Sequence, residues 1–323
     1  MKSKLITVIP VYNGEGLIER ALKSIAAQTL RPDRVVVLDN CSTDKTEEVV
    51  KGFKPIQCEW RRHETNLGWA TNFTRGLEYA EQTEYLQLLC ADDAIKPNFY
   101  ERMIAELESC EGRGLAYCLD ERIDEHDQRL SVSGKATGEV EILTVSDFLK
   151  QKAELGNQAI ASSLLKTAGQ KSPCEFRLDF PIVADTVFWA DWGRQSKKIV
   201  FIHEALGLYR WHGTNNTHNF SPQIQPLVLD EWRAMQMLEQ WRGAAPNAIR
   251  QFKLKGLFAV RSGIKAKRLR GQHNIDYSNQ VVAAAKKISG PLAWTMAQVV
   301  VEARDLLVYK IMGRPMHPKN IYG

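Results

Sequence analysis

The chain has 323 residues, of which 44% are hydrophobic and 25% are charged. This length and composition predict one large or two moderate folded domains and exclude an intrinsically disordered chain. The net charge of +5 hides an asymmetry, because residues 1–242 carry a net −6 and residues 243–323 carry a net +11. A basic C-terminal region of this kind favours an anionic partner.

The six cysteines are scattered, and no Cys-x-x-Cys pair is present. This spacing excludes a zinc finger and fits reduced thiols in a cytosolic protein better than a disulfide framework. The N-terminal apolar segment is too short for a signal-peptide core. The longest apolar stretch, residues 291–312, is interrupted by four charged residues and predicts no membrane span. We therefore expect a cytoplasmic protein that is soluble or peripheral on a membrane.

The first 110 residues alternate between strand and helix patterns. Apolar runs predict strands over residues 5–11, 34–38, 56–62 and 85–89. Residues at helical spacing predict a helix after each strand, and Asp44 with Glu47 matches a capping box. Strands separated by helices of this length predict an α/β fold with a mainly parallel sheet flanked by helices.

Polar residues follow each of these four strands. Ligands bind outside the carboxyl ends of parallel strands, so we expect these residues to line one edge. They are Tyr12 and Asn13, Asp39 and Asn40, Asn66 to Gly68, and Asp92 with Asp93.

The adjacent carboxylates Asp92 and Asp93 are the most informative feature of this edge. Two like charges repel each other unless a cation offsets them. An oxygen-liganded ion such as Mg²⁺ or Mn²⁺ suits this position. The alternative is a solvated turn in which one carboxylate caps the helix that begins near Pro97.

The remaining chain divides into a mixed region and a helical region. The mixed region predicts strands over 114–119 and 199–202, helices over 146–151 and 185–193, and an excursion loop over 120–138. The region after Pro226 predicts helices over 227–242, 245–264, 277–288 and 292–312. We place the domain boundary between residues 222 and 223.

Five segments, in this order and spacing, resemble motifs of the family 2 inverting glycosyltransferases. They are residues 6–13 (ITVIPVYN), 38–44 (LDNCSTD), 66–72 (NLGWATN), 91–97 (ADDAIKP) and 184–189 (ADTVFW). The resemblance spans roughly residues 4–220 and implies the GT-A fold, in which a nucleotide-binding α/β unit is joined to an acceptor-binding half. It also implies sugar transfer from a nucleoside-diphosphate donor with a divalent metal, Mg²⁺ or Mn²⁺.

The resemblance implies roles for individual residues. Asp39 corresponds to the position that contacts the nucleobase, and the turn from Pro10 to Asn13 would bring Tyr12 against a planar base. Cys90 stands where the fullest metal motif has Asp, which leaves Asp92 as the aligned ligand. The donor would be bound by Pro10, Tyr12, Asn13, Asp39, Asn66, Gly68, Ala91 and Arg210, and the metal by Asp92, Asp93 and His212.

Asp185 corresponds to the carboxylate that takes the proton of the acceptor hydroxyl, although Ala184 replaces the commoner Glu. The alternative for Asp185 is a helix N-cap, and Asp191 is the second candidate base. Arg210 would neutralise the leaving diphosphate, with His212 near the metal or the phosphate. Asp44 is assigned mainly to helix capping.

The C-terminal helices lie outside the resemblance. Basic residues between 253 and 270 surround an apolar stripe, and Trp294 with Met296 belongs to a second apolar patch. Such a pattern suits an anionic membrane surface contacted through residues 250–323. The alternative is a helix packed on the protein with a solvated basic face. No recognition module is visible, so a nucleic-acid partner is disfavoured.

The leading hypothesis is an inverting glycosyltransferase at the cytosolic face of a membrane. Its acceptor would be a lipid-linked or cell-surface glycan, such as a polysaccharide or lipopolysaccharide precursor. A nicotinamide-dependent oxidoreductase would need G-x-G-x-x-G after the first strand, which the sequence lacks. Cys90 and Ala184 motivate a further alternative, a sugar-nucleotide-binding or scaffold protein without turnover.

Overall fold

The computed structural model describes residues 3–155, 162–212, 224–243, 247–271 and 274–312. The chain divides into two compact units. The first comprises Met1–Leu149 and Gly156–His212, and the second comprises Lys150–Leu155 and Gly213–Gly323. The boundary predicted between residues 222 and 223 lies outside the described residues.

The described strands and helices follow the predicted alternation over the first 110 residues. The strands are β1 Ser3–Val11, β2 Arg34–Asp39, β3 Cys58–Arg62, β4 Thr83–Leu88, β5 Ala94–Ile95, β6 Gly114–Ile123, β7 Arg129–Val132, β8 Val140–Ile142, β9 Ser163–Lys166 and β10 Lys198–Arg210. The helices are α1 Ile18–Ala26, α2 Thr46–Gly52, α3 Trp69–Gly76, α4 Phe99–Leu107, α5 Val145–Leu155, α6 Ala184–Arg194, α7 Ile224–Trp241, α8 Ala248–Gly271, α9 Ile275–Ser289 and α10 Pro291–Met312.

These strands form a single sheet in the order β3-β2-β1-β4-β9-β6-β10-β5, with β7 beside β6 and β8 beside β10. Strands β1 to β4 are mutually parallel, and so are β6 and β10. The antiparallel partners β5, β7, β8 and β9 contain only two to four residues each. The predicted α/β fold, with a mainly parallel sheet and C-terminal helices, is confirmed.

The predicted loop over residues 120–138 is wrong at residues 120–123 and 129–132, which belong to strands. Strand β6 continues to Ile123, and β7 pairs back on it with Glu121 opposite Val132. The side chains of β7 are exposed or half-buried, so its polar composition is compatible with a strand that faces solvent. The sequence alone showed only the polarity.

Strand β10 is also longer than predicted, because it runs on from Ile202 to Arg210. Its register against β6 shifts between Ile202 and Ala205 and again between Ala205 and Gly207. Such irregularities break the alternation by which a strand is recognised. The extension carries Arg210 to the edge of the sheet where the polar residues lie.

Helices α7 to α10 of the second unit enclose an apolar core. Val228, Phe258, Val281 and Trp294 belong to it, one from each helix. Among the described residues, no helix combines the length and the hydrophobicity needed to cross a bilayer.

Several basic residues of α8 bind within this unit and do not simply face solvent. Lys265 Nζ lies 2.6 Å from Glu231 Oε1, and Lys267 Nζ lies 2.7 Å from a carboxylate oxygen of Glu302. Arg261 donates to a backbone carbonyl. These contacts favour the alternative of a packed helix for this part of α8.

Candidate active site

The loops after the parallel strands β1 and β2 are joined by hydrogen bonds. The Asn13 N–H donates to Ser42 Oγ at 2.8 Å, and the Thr43 N–H donates to Asn13 Oδ1 at 2.8 Å. Asn13 has a φ of 51°, a left-handed conformation that asparagine tolerates. Pro10 is buried inside β1, so the predicted turn begins at Tyr12, whose ring is exposed. The exposed ring is available for stacking.

The loops after β2 and β3 are joined in a similar way. Asn40 Nδ2 donates to Asn66 Oδ1 at 2.8 Å, and the Leu67 N–H donates to Asn40 Oδ1 at 2.8 Å. The N–H of Gly68 also donates to Asn66 Oδ1, at 2.9 Å. Gly68 has a φ of 79°, which a residue with a Cβ rarely adopts. Asn66 and Gly68 therefore shape the turn that leads into α3.

Asp39 lies buried at the end of β2 and has a cationic neighbour that the sequence analysis missed. Arg62 ends β3, directly beside Asp39 in the sheet register. Its Nη1 donates to Asp39 Oδ2 at 2.7 Å, and the Ser42 N–H donates to Asp39 at 3.1 Å. The sequence signal that could have revealed this ion pair is the pair of arginines, Arg61 and Arg62, at the end of the third predicted strand, because the preceding strand ends beside Asp39.

The predicted metal residues lie together after β4. The Cys90 sulfur and carboxylate oxygens of Asp92 and Asp93 lie within 4.8 Å of one another. Burial raises the pKa of Asp93 well above its usual range, and the nearby charges of Asp92 and Asp120 add to this. A divalent cation would offset this repulsion, and two carboxylates suit Mg²⁺ or Mn²⁺, whereas a thiolate does not. The residues present therefore fit the metal.

His212 lies beside this carboxylate group. Its Nε2 is 3.2 Å from Asp92 Oδ2, and its side chain is mostly buried. An imidazole in this position can orient the carboxylate or bind the metal. Ala91 packs against the core near Gly14. The loop after β4 that carries Asp92 and Asp93, here called the metal loop, therefore lies beside the loop after β1.

Arg210 has a different position from the one predicted for a diphosphate clamp. Its backbone N–H donates to Asp93 Oδ1 at 2.9 Å. Its Nε donates to the Asp92 carbonyl at 3.0 Å, and its Nη1 donates to the Asp124 carbonyl at 2.9 Å. Nη1 also lies 2.6 Å from Asp127 Oδ1, and only 1% of the side chain is exposed. The guanidinium therefore braces the metal loop against the β6–β7 turn and is not open to a ligand.

Replacing Arg210 by Met should destabilise the fold. The substitution removes two charge-assisted hydrogen bonds to the half-buried carbonyls of Asp92 and Asp124, which costs about 2–4 kcal/mol. Asp127 is 57% exposed, so Asp127→Asn should cost less than about 1 kcal/mol. Urea unfolding measures both values. If Arg210→Met left the free energy of unfolding unchanged and weakened donor binding, Arg210 would bind the diphosphate as the sequence predicts.

Asp185 lies half-buried in the first turn of α6. The helix N-cap is Val183, so the alternative that Asp185 is the N-cap is wrong. The positive end of the helix dipole favours an ionised carboxylate there. Burial raises the pKa of the Cys90 thiol, and the charges of Asp93, Asp92 and Asp185 raise it further. The charge of Asp185 therefore acts on the same thiol as the charges of the two metal carboxylates.

Tight packing fixes the helix that carries Asp185. Trp189 and Trp192 are buried, and Trp192 Nε1 donates to the Gly114 carbonyl of β6 at 3.1 Å. A Cβ on Gly193 would lie 2.1 Å from the ring of Phe148, so only glycine allows this close approach. Asp185 therefore projects from a rigid element.

Asp191, the second candidate base, is held elsewhere on the same helix. Arg194 Nε donates to Asp191 Oδ1 at 2.7 Å, and Gln195 Nε2 donates to it at 3.0 Å. Its charge acts on the thiol of Cys174, whose pKa is raised by burial first and by Asp191 second. These contacts favour Asp185 as the base.

Residues 7–162 match the family described as Glycosyl transferase family 2. Over these residues, the resemblance to family 2 glycosyltransferases that the sequence motifs indicated is confirmed. An uncharacterised glycosyltransferase of Rickettsia typhi is 28% identical to the transferase over 222 residues, covering 68% of this chain and 67% of the relative. The succinoglycan biosynthesis protein ExoW of Rhizobium meliloti is 27% identical over 276 residues, covering 78% and 84%.

Solved structures show that the transferase has the same fold as proteins of low sequence identity. TarS 1-349 of S. aureus in complex with UDP matches with a TM-score of 0.53 and 16% identity, over 88% of this chain and 91% of that one. The mannosyltransferase PcManGT from Pyrobaculum calidifontis, in complex with GDP-Man and Mn²⁺, matches with a TM-score of 0.54 and 15% identity, over 96% and 82%. The GT-A fold expected from the sequence is confirmed.

Proposed function

We propose that this transferase moves a sugar, with inversion, from a nucleoside-diphosphate donor to a hydroxyl of a lipid-linked or cell-surface glycan. The observation that carries the proposal is the grouping of Asp92 and Asp93 with Cys90, whose thiol also responds to the charge of Asp185. Two carboxylates suit a divalent cation and the third suits proton transfer.

The donor side is supported by the loops after β1 to β4. Arg62, which is held against the buried carboxylate of Asp39, offers N–H donors, and Tyr12 offers an exposed ring. Such a pair can bind the carbonyl edge and the face of a nucleobase. TarS was solved with UDP and with UDP-GlcNAc, and PcManGT with GDP-Man. These donors support a sugar nucleotide and leave its base open.

The metal would be held by Asp92 and Asp93, with His212 beside Asp92. When bound, Mg²⁺ or Mn²⁺ supplies charge that stabilises the diphosphate leaving group. Arg210 keeps both carboxylates in place through its bonds to their loop. The GT-A fold and the Mn²⁺ in the PcManGT complex support a metal here.

Asp185 performs the proton transfer in this proposal. The acceptor oxygen attacks the anomeric carbon on the face opposite the diphosphate, the bond from that carbon to the diphosphate breaks, and Asp185 takes the hydroxyl proton. The positive end of the α6 dipole favours the ionised carboxylate before the reaction. We place the reaction in the cytoplasm, on the cytosolic face of a membrane. The name of ExoW supports a role in polysaccharide biosynthesis.

A panel of sugar nucleotides with Mn²⁺ tests this function by thermal unfolding. A ligand at 100 times its Kd stabilises the folded state by about 2.7 kcal/mol, so the matching donor should raise the melting temperature by several degrees. Stabilisation accompanied by donor hydrolysis or transfer supports the proposal. Stabilisation without turnover under any acceptor would favour the sugar-nucleotide-binding alternative. No stabilisation by any nucleotide would contradict both.

A further inference from the structure

The outward face of α10 is apolar, although none of the described residues buries it. Leu292, Met296, Val299 and Val300 are 64%, 54%, 66% and 53% exposed. They follow the spacing i, i+4, i+7 and i+8, so they lie along one side of the helix. We refer to these four residues as the α10 surface.

The opposite side of α10 is already occupied by the core of its unit. Trp294, Ala297 and Val301 are buried, and the first two belong to the cluster shared with α7, α8 and α9. The helix is therefore apolar on both sides. A helix that is hydrophobic all round is normally buried all round, so the α10 surface needs an apolar partner.

Positive charge lies next to this surface. Lys286 and Lys287 are exposed in the last turn of α9, and Gly290 is the one residue between α9 and α10. The whole segment from residue 243 carries a net charge of +11. Apolar side chains beside exposed lysines form the pattern of a helix that lies in the plane of a bilayer.

We infer that the α10 surface docks onto an anionic lipid bilayer, with Lys286 and Lys287 against the headgroups. A second copy of the chain fits less well, because a contact between two copies brings together two segments that each carry a net charge of +11. The sequence predicts membrane contact through residues 250–323; of these, the α10 surface is exposed and apolar, whereas Lys265 and Lys267 of α8 are bound inside the unit. The inference adds a partner to the proposed function and does not depend on the donor site.

Vesicle sedimentation with the full chain tests this inference. The vesicles contain phosphatidylglycerol and phosphatidylcholine at a molar ratio of about one to two, with pure phosphatidylcholine for comparison. The wild type should bind the neutral vesicles at least about 25-fold more weakly than the anionic ones, because each of the two lysines near the surface contributes about fivefold.

Two double variants separate the apolar contribution from any general effect of added charge. Met296→Glu with Val299→Glu should weaken binding to the anionic vesicles more than roughly tenfold, since each buried aliphatic side chain contributes at least that much. Leu130→Glu with Ile142→Glu is the matched control, because these residues are 53% and 67% exposed and lie in the first unit. The control should bind like the wild type. All four sites are exposed, so both variants should keep the wild-type melting temperature.

The contribution of charge is tested by Lys286→Glu with Lys287→Glu, which should weaken binding to anionic vesicles about 25-fold or more and leave binding to neutral vesicles unchanged.

Light scattering without lipid tests the alternative that a second copy of the chain covers the α10 surface. A wild-type dimer that Met296→Glu with Val299→Glu converts to a monomer would overturn the inference in favour of a second copy. Absence of binding to anionic vesicles by the wild type, or equal loss in the matched control, would overturn it as well. Donor binding is expected to persist in every variant, which separates this test from that of the proposed function.

Discussion

Replacing Asp185 by Asn is expected to abolish sugar transfer while donor binding remains. The asparagine keeps the size of the side chain and the oxygen that accepts from the Thr186 N–H at 2.7 Å, but it cannot take a proton. Loss of a general base lowers the rate about 10²–10⁴-fold. The measurement is the rate of transfer under saturating donor, together with a calorimetric titration of the nucleoside diphosphate in the presence of Mn²⁺.

Asp191→Asn is the matched control for this experiment. Asp191 lies on the same helix, is also half-buried, and accepts hydrogen bonds from Arg194 and Gln195. The control should retain most of the transfer rate. If Asp185→Asn kept the wild-type rate, or if Asp191→Asn lost it instead, the assignment of the base would be wrong.

Replacing Asp92 by Ala should remove metal-dependent donor binding. Asp92 belongs to the carboxylate pair after β4, and its Oδ2 also contacts His212 at 3.2 Å. Loss of even an outer partner of a metal ligand weakens metal binding about 10–100-fold, and loss of a ligand should cost at least that. The titration of a nucleoside diphosphate in rising Mn²⁺ measures the effect directly.

The fold should tolerate this change, because removing one of two repelling carboxylates lowers the cost of burying Asp93. The melting temperature without metal should therefore stay the same or rise. Glu19→Ala is the control, since Glu19 is an exposed carboxylate of α1 that forms an ion pair with Lys23. If nucleoside-diphosphate binding depended on Mn²⁺ equally in Asp92→Ala and in Glu19→Ala, the assignment of Asp92 as a metal ligand would be wrong.

The sequence predicted most of the first half of the sheet because its strands are continuous β-branched runs. Residues 34–38 (RVVVL) predict a buried strand, and the structure buries all but the first of them. The polar residues after such strands necessarily meet at one edge, so the region of the site followed from the topology. Short strands such as β5, with two residues, gave no periodic signal.

The partners of charged residues could not be predicted in the same way. Arg62 reaches Asp39 from a neighbouring strand, and Lys265 reaches Glu231 from 34 residues away. Which charge meets which depends on packing that periodicity does not encode. For the same reason Arg210 was expected at the diphosphate, whereas the structure buries it as a brace behind the metal loop.

Anomalous diffraction at the manganese edge would test the core of this account most directly, with crystals of the protein grown with Mn²⁺ and a nucleoside diphosphate. We predict a single strong peak at the carboxylates of Asp92 and Asp93, with the diphosphate bound to it and Asp185 facing the same cleft. A peak at any other position, or a nucleotide bound away from these carboxylates, would contradict it.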